Sequence, residues 1–175
     1  MHRNQIRRLT LTAMFIALGY LLPFLTGQIP QFGAMLSPMH IPALLCGFVC
    51  GWQYGLVAGA IMPLLRSATL GMPYIFPNAV AMAFELAAYG CAAGLLYRAL
   101  PKHIAFVYVT LVLSMLIGRA VWGLASAVLM MGTENAFTTQ AFLAGAFVNA
   151  WPGILLHILV IPPVVLGLRR AKLMD

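Results

Sequence analysis

The sequence predicts an all-α membrane protein, a bundle of about six transmembrane helices with both termini cytoplasmic. Three observations predict it. Of the 175 residues, 63% are hydrophobic and only 7% are charged, against about 25% charged in an ordinary soluble domain. That is too little charge to solvate a surface in water, whereas a lipid-facing surface needs none. The apolar residues fall into runs near the roughly 20 helical residues that a hydrocarbon core about 30 Å thick requires. The basic residues, finally, collect at the ends of those runs on one side of the expected bundle.

The first span is expected over Leu9–Leu25. The preceding MHRNQIRR and the apolar stretch after it imitate a secretory signal, but no small-residue cleavage site follows and further spans come later. It therefore reads as a retained helix. Gly27, Pro30 and Gly33 mark 26–38 as a turn-rich loop. Two shorter spans follow, Met39–Gly51 and Tyr54–Leu70, divided at Gly51-Trp52-Gln53. GMPYIFPN then breaks the chain before a fourth span over Asn78–Tyr97. The basic turn RALPKH leads to a long fifth span, Ile104–Met131, and the polar loop GTENAFTTQ to a sixth, Ala141–Leu168. No linker or repeat divides the chain, so residues 1–175 read as one bundle.

Six spans put both termini on one side, with Arg3, Arg7, Arg8, Arg98, Lys102, Arg169, Arg170 and Lys172. The loops 26–38, 71–77 and 132–140 carry no basic residue. The positive-inside rule then makes the basic side cytoplasmic. The net charge of +7 is matched to anionic lipid headgroups rather than nucleic acid, because it forms no broad patch. Cys46, Cys50 and Cys91 lie in apolar runs without a CxxC pair, so they read as packing residues and no metal or cofactor is expected.

Four ionisable residues stand in or near the expected spans: Arg66, Glu85, Arg119 and His157. A charge at the bilayer centre costs at least about 2.5–3.5 kcal/mol. Residues kept at that cost face a cavity, a partner or a substrate. At about 1.5 Å per residue, Arg66 falls near the outer end of its helix, Glu85 two turns below the outer end and Arg119 near mid-membrane. Asn78, Trp122, Asn149 and Trp151 share the outer half and are candidates to line a pocket open to the exterior. Two arginines against one glutamate leave about one positive charge, and a guanidinium in low dielectric favours a carboxylate or phosphate. A small anionic, partly apolar ligand is the functional expectation. The competing expectation is structural: Arg119 and Glu85 lock the bundle while Arg66 reaches to the outer headgroups. His157 is expected to be a hydrogen-bonded core residue, and Glu134 a solvated loop residue.

Ala13/Ala17, Gly47/Gly51, Gly55/Gly59, Ala88/Ala92 and Gly123/Ala127 repeat a small residue every four positions. This lets helix backbones approach closely, and most such pairs are expected to pack within the bundle.

With those residues in hand, the chain resembles the substrate-binding S components of energy-coupling factor (ECF) vitamin transporters. The resemblance spans nearly the whole chain and rests on the size, the six helices, the basic N-terminus and the Ala13/Ala17 pair. Its most specific part is residues 36–90, LSPMHIPALLCGFVCGWQYGLVAGAIMPLLRS followed by GMPYIFPNAVAMAFELAAYG, which resembles the pantothenate-type branch. The resemblance implies a multi-pass protein of the bacterial cell membrane that binds a vitamin or precursor on the outer side under a lid, here residues 26–38. It implies that the Ala13/Ala17 face packs on a membrane coupling protein driven by two cytoplasmic ATPases. Consistently, the chain has no GxxxxGK[ST] of its own. Riboflavin, folate, queuosine precursors and biotin are the substrates of other branches and stay open.

Three other readings compete. A stand-alone secondary transporter of a small organic anion would be expected to show inverted repeats, and none is seen. An intramembrane enzyme would need a nucleophile–base pair or a metal motif, and the chain has no HExxH, no GxSxG and no second membrane carboxylate for a dyad. A ligand-free scaffold would leave Arg66 and Arg119 unexplained.

Overall fold

The computed structural model describes residues 2–26, 35–131, 138–171 and 174. Within the described residues six helices carry the chain. They are α1 (His2–Leu21), α2 (His40–Cys50), α3 (Trp52–Leu70), α4 (Val80–Ala99), α5 (Ile104–Leu129) and α6 (Trp151–Arg170). Four helical stretches are long and apolar enough to cross a membrane: Asn4–Leu25, Ile75–Ala99, Ile104–Leu129 and Thr139–Arg170. The expected six helices are therefore present. The 11 residues of α2 reach only about 16 Å, half a bilayer core, and α3 carries Gln53, Arg66 and Ser67 among its apolar residues.

The breaks follow from local chemistry. Gly51 separates α2 from α3 at φ 98°, ψ 168°, a region of backbone space essentially reserved for glycine. The expected division there is borne out. Helix α1 begins earlier than hydropathy suggests, because the basic segment continues the helix without being apolar. It ends in a tight turn, Leu22–Thr26, at Pro23, whose ring removes a backbone donor.

The expected span over 141–168 lies within the helical stretch Thr139–Arg170, but its first part is irregular. The structure has a short helical stretch at Thr139–Leu143, a widened turn at Ala144–Val148 and a turn at 149–150 before α6 starts. Pro152 stands in the first turn of α6. It lacks an N–H, which suits the first turn of a helix, where that donor has no partner within the helix, so regular α6 starts beside it.

Helix α4 is central, packed on α2, α3 and α5, while α1 rests on α2 and α3 and α6 on α2 and α5. Backbone proximity holds the centre together. A Cβ on Gly90 would strike the Gly55 backbone, one on Gly47 or Gly55 the Gly90 carbonyl, and one on Gly59 the Leu86 carbonyl. These close approaches seat α2 and α3 on α4 and realise the expected internal packing of the small residues. Gly123 likewise faces the Phe142 ring. The core, with Phe15, Leu44, Met62, Leu86, Tyr89, Leu111 and Ile161, is buried, whereas Ile61, Phe84, Leu116, Leu155 and Leu159 are exposed. In a membrane, lipid tails cover such an apolar surface without cost.

Candidate functional site

The central position of α4 puts Glu85 in the middle of the bundle, 2% exposed. Its carboxylate gathers groups from three helices. Arg119 Nη1 of α5 lies 3.0 Å from Glu85 Oε1 and His40 Nε2, from the first turn of α2, lies 3.4 Å from the same oxygen. Tyr89, one turn further along α4, donates its hydroxyl to that oxygen at 3.2 Å. A buried carboxylate is tolerable only with such partners.

A second layer adjoins this cluster. His40 Nδ1 and His157 Nε2 lie 3.1 and 3.3 Å from one acceptor, the Ser37 carbonyl. A carbonyl only accepts, so both rings donate. The two imidazoles stack with centroids 5.9 Å apart, and the Tyr89 ring meets His40 edge-on at 5.1 Å. The segment before α2 is thus tied to α6. Gly153 completes the tie: a Cβ there would sit 2.6 Å from the Met35 carbonyl oxygen. His157 is the hydrogen-bonded core residue that its position suggested.

Arg66 goes elsewhere. It is 5% exposed and donates from Nη1 to the Tyr20 carbonyl at 2.9 Å, with its guanidinium 5.2 Å from the centre of the Phe24 ring. It thereby satisfies one of the last carbonyls of α1, where a cation also complements the helix dipole. The two arginines grouped together by depth are consequently separate in their contacts: Arg119 is neutralised by Glu85, and the net positive charge belongs to Arg66.

The remaining expected site residues are dispersed. Asn78 is exposed in the kinked turn Ile75–Ala79. Trp122 is half-buried, stacks on Phe142 at 6.2 Å and lies where a Cβ on Gly145 would meet its ring at 2.7 Å. Asn149 is exposed in the turn preceding α6, and Trp151, 58% exposed, is the first residue of that helix. Ala13 and Ala17 both point outward from α1, opposite the buried Thr12, Phe15 and Gly19. Residues 27–34 of the expected lid, Glu134 and Lys172 lie outside the described residues.

His40 and Tyr89 belong to the central cluster and were not singled out from the sequence. Signals for both exist. His40 lies between Pro38 and Pro42 at the head of an apolar run, and Tyr89 stands four residues after Glu85, the spacing that aligns side chains on one helix face.

Among comparisons with known proteins, the family model described as "ECF transporter, substrate-specific component" matches residues 7–165. No curated protein and no solved structure matches the chain. The match covers most of the sequence and agrees with the apolar helices. The chain therefore belongs to the substrate-specific (S) components of ECF transporters, multi-pass proteins of the cell membrane that serve transport and are not enzymes.

Proposed function

We propose that this S component captures a small, anionic, partly apolar vitamin or vitamin precursor of the pantothenate kind from the outer side, for uptake driven by an ECF module. The observation that carries the reading is the state of Arg119. Glu85 engages its Nη1, yet its Nε is buried without a hydrogen-bond partner. A buried guanidinium with an unused donor suits the carboxylate of a ligand. Asn78, Trp122, Asn149 and Trp151 would form the outer part of this site, with Glu85 and Arg119 as its floor. Arg66 would add long-range attraction for the anion.

Orientation supports the same reading. Arg8, Arg98, Lys102, Arg169 and Arg170 stand at one end of the bundle, and Arg66 at the other. By the positive-inside rule the basic end, and with it both termini, is cytoplasmic. Ala13 and Ala17, outward-facing on α1, offer the flat surface on which a coupling protein with two ATPase subunits would pack.

Thermal unfolding of the purified chain against pantothenate, riboflavin, folate, biotin and a queuosine precursor tests the substrate. A ligand at about 100 times its Kd stabilises by about 2.7 kcal/mol, and pantothenate is the expected responder. Arg119→Gln is expected to weaken that ligand at least about tenfold, or about 1.4 kcal/mol. Unchanged affinity removes Arg119 from the site. A response confined to another vitamin removes the pantothenate branch and leaves the family membership intact.

A further inference from the structure

A cavity of about 490 Å³ opens at the basic end of the bundle, at the opposite end of α1 from Arg66. It exists because Gly51 turns the chain sharply between α2 and α3, while Gly94 of α4 lies against the Trp52 backbone. Arg8, Arg98 and Lys102 line it, together with Trp52, Tyr54 and Tyr97. Lys102 is held in place. Its ammonium donates to the Tyr97 carbonyl at 2.6 Å and sits 3.6 Å above the Tyr97 ring, and Arg169 donates to the Lys102 carbonyl. No acidic residue occurs among the described residues that line the recess. Glu85, the one carboxylate among the described side chains, is engaged in the core.

We infer that this recess is a binding site for an anionic phosphate group, that of a phospholipid headgroup at the membrane surface. The chemistry of the lining carries the assignment. Basic pockets between transmembrane helices bind anionic headgroups, and tryptophan and tyrosine collect at headgroup depth. The volume falls within the roughly 300–1,000 Å³ of small-molecule sites. Partial burial, and then the neighbouring Arg169, push the Lys102 ammonium below its ordinary pKa, and a phosphate beside it relieves that electrostatic burden. A lipid is favoured over a protein segment because the site is a recess ringed by interfacial aromatic residues. The inference is independent of the transported substrate, which would bind at the other end.

The test uses the full chain, delipidated in a non-ionic detergent and titrated with phosphatidylglycerol or phosphatidylcholine under native mass spectrometry. One phosphatidylglycerol is expected to bind in preference to phosphatidylcholine. Each basic group near a headgroup contributes about 1 kcal/mol, so R98Q/K102Q is expected to weaken that adduct about 30-fold. R98K/K102R, which keeps both charges, is expected to retain it. Arg170 does not line the recess, and R170Q is expected to change binding by less than about threefold. Should the double variant unfold, R98Q alone serves, since Arg98 is exposed at the end of α4. Displacement of the lipid by inorganic phosphate supports the site with a soluble phosphate as its source, and failure to displace supports the headgroup. Equal losses in R98Q/K102Q and R170Q, or none in either, overturn the inference. So does undiminished lipid binding alongside lost co-purification of the coupling protein, which gives the recess to a protein partner.

Discussion

Replacing Glu85 with Gln keeps the shape of the side chain and removes its charge. In the native core one oxygen of Glu85 receives Arg119 at 3.0 Å and Tyr89 at 3.2 Å, with His40 at 3.4 Å. The carboxylate is 2% exposed and the Arg119 side chain 11%. A neutral amide still accepts a hydrogen bond, but it leaves the guanidinium as a buried cation without a counter-charge. Removing one member of a buried ion pair costs about 3–5 kcal/mol. For a chain of this size that corresponds to a fall in Tm of roughly 6–20 °C. The protein provides its own reporter: Cys46 and Cys50 are buried thiols, so a thiol-reactive dye reads unfolding as they become accessible. Cys91, which is partly exposed, is first replaced by Ser to remove background. Combining Glu85→Gln with Arg119→Met removes both charges, and replacing a whole buried pair is often neutral. The double variant is therefore expected to regain at least half of the lost Tm. A Glu85→Gln protein melting within about 2 °C of its parent, or a double variant no more stable than the single, would refute the electrostatic account of this core.

Two glycines are predicted to fail for different reasons. Gly90→Ala places a methyl against the Gly55 backbone, and because backbone cannot turn aside it is expected to lose about 1–3 kcal/mol or more by overpacking. At Gly51 a methyl meets nothing, so Gly51→Ala costs only the strain of φ 98°, about 1–3 kcal/mol; the same thermal assay measures both. His157→Leu removes one of the two donors to the Ser37 carbonyl. It is expected to cost about 1–3 kcal/mol and to raise amide hydrogen exchange in residues 35–39, which an unchanged exchange pattern would contradict. Ala13→Leu with Ala17→Leu adds bulk to an outward face of α1. Its Tm should stay within about 2 °C of the parent while co-purification with the ECF module falls, and normal assembly would move the contact to another face.

How the chain divides into helices was legible in the sequence because the causes are local. Apolar runs of spanning length, Gly51 between two short ones and basic residues at alternate ends are properties of neighbouring residues. The irregular start of the last span was not expected: Pro152 stands beside it, but Pro63, Pro162 and Pro163 stand inside helices without ending them. Glu85 and Arg119 also declared themselves, since an ionised group in an apolar run demands a partner. The pairing of Arg119 with Glu85 was one of the two expectations, and the structure realises it; the further partners were not in the sequence. Depth along a helix says how high a residue sits and nothing about which way its face turns. The facing is set by the small-residue contacts of α2 and α3 with α4, and these act between residues far apart in the chain. Tertiary packing alone decided that His40 and Tyr89 complete the Glu85 cluster, that Arg66 serves the end of α1, and that two histidines share the carbonyl of Ser37.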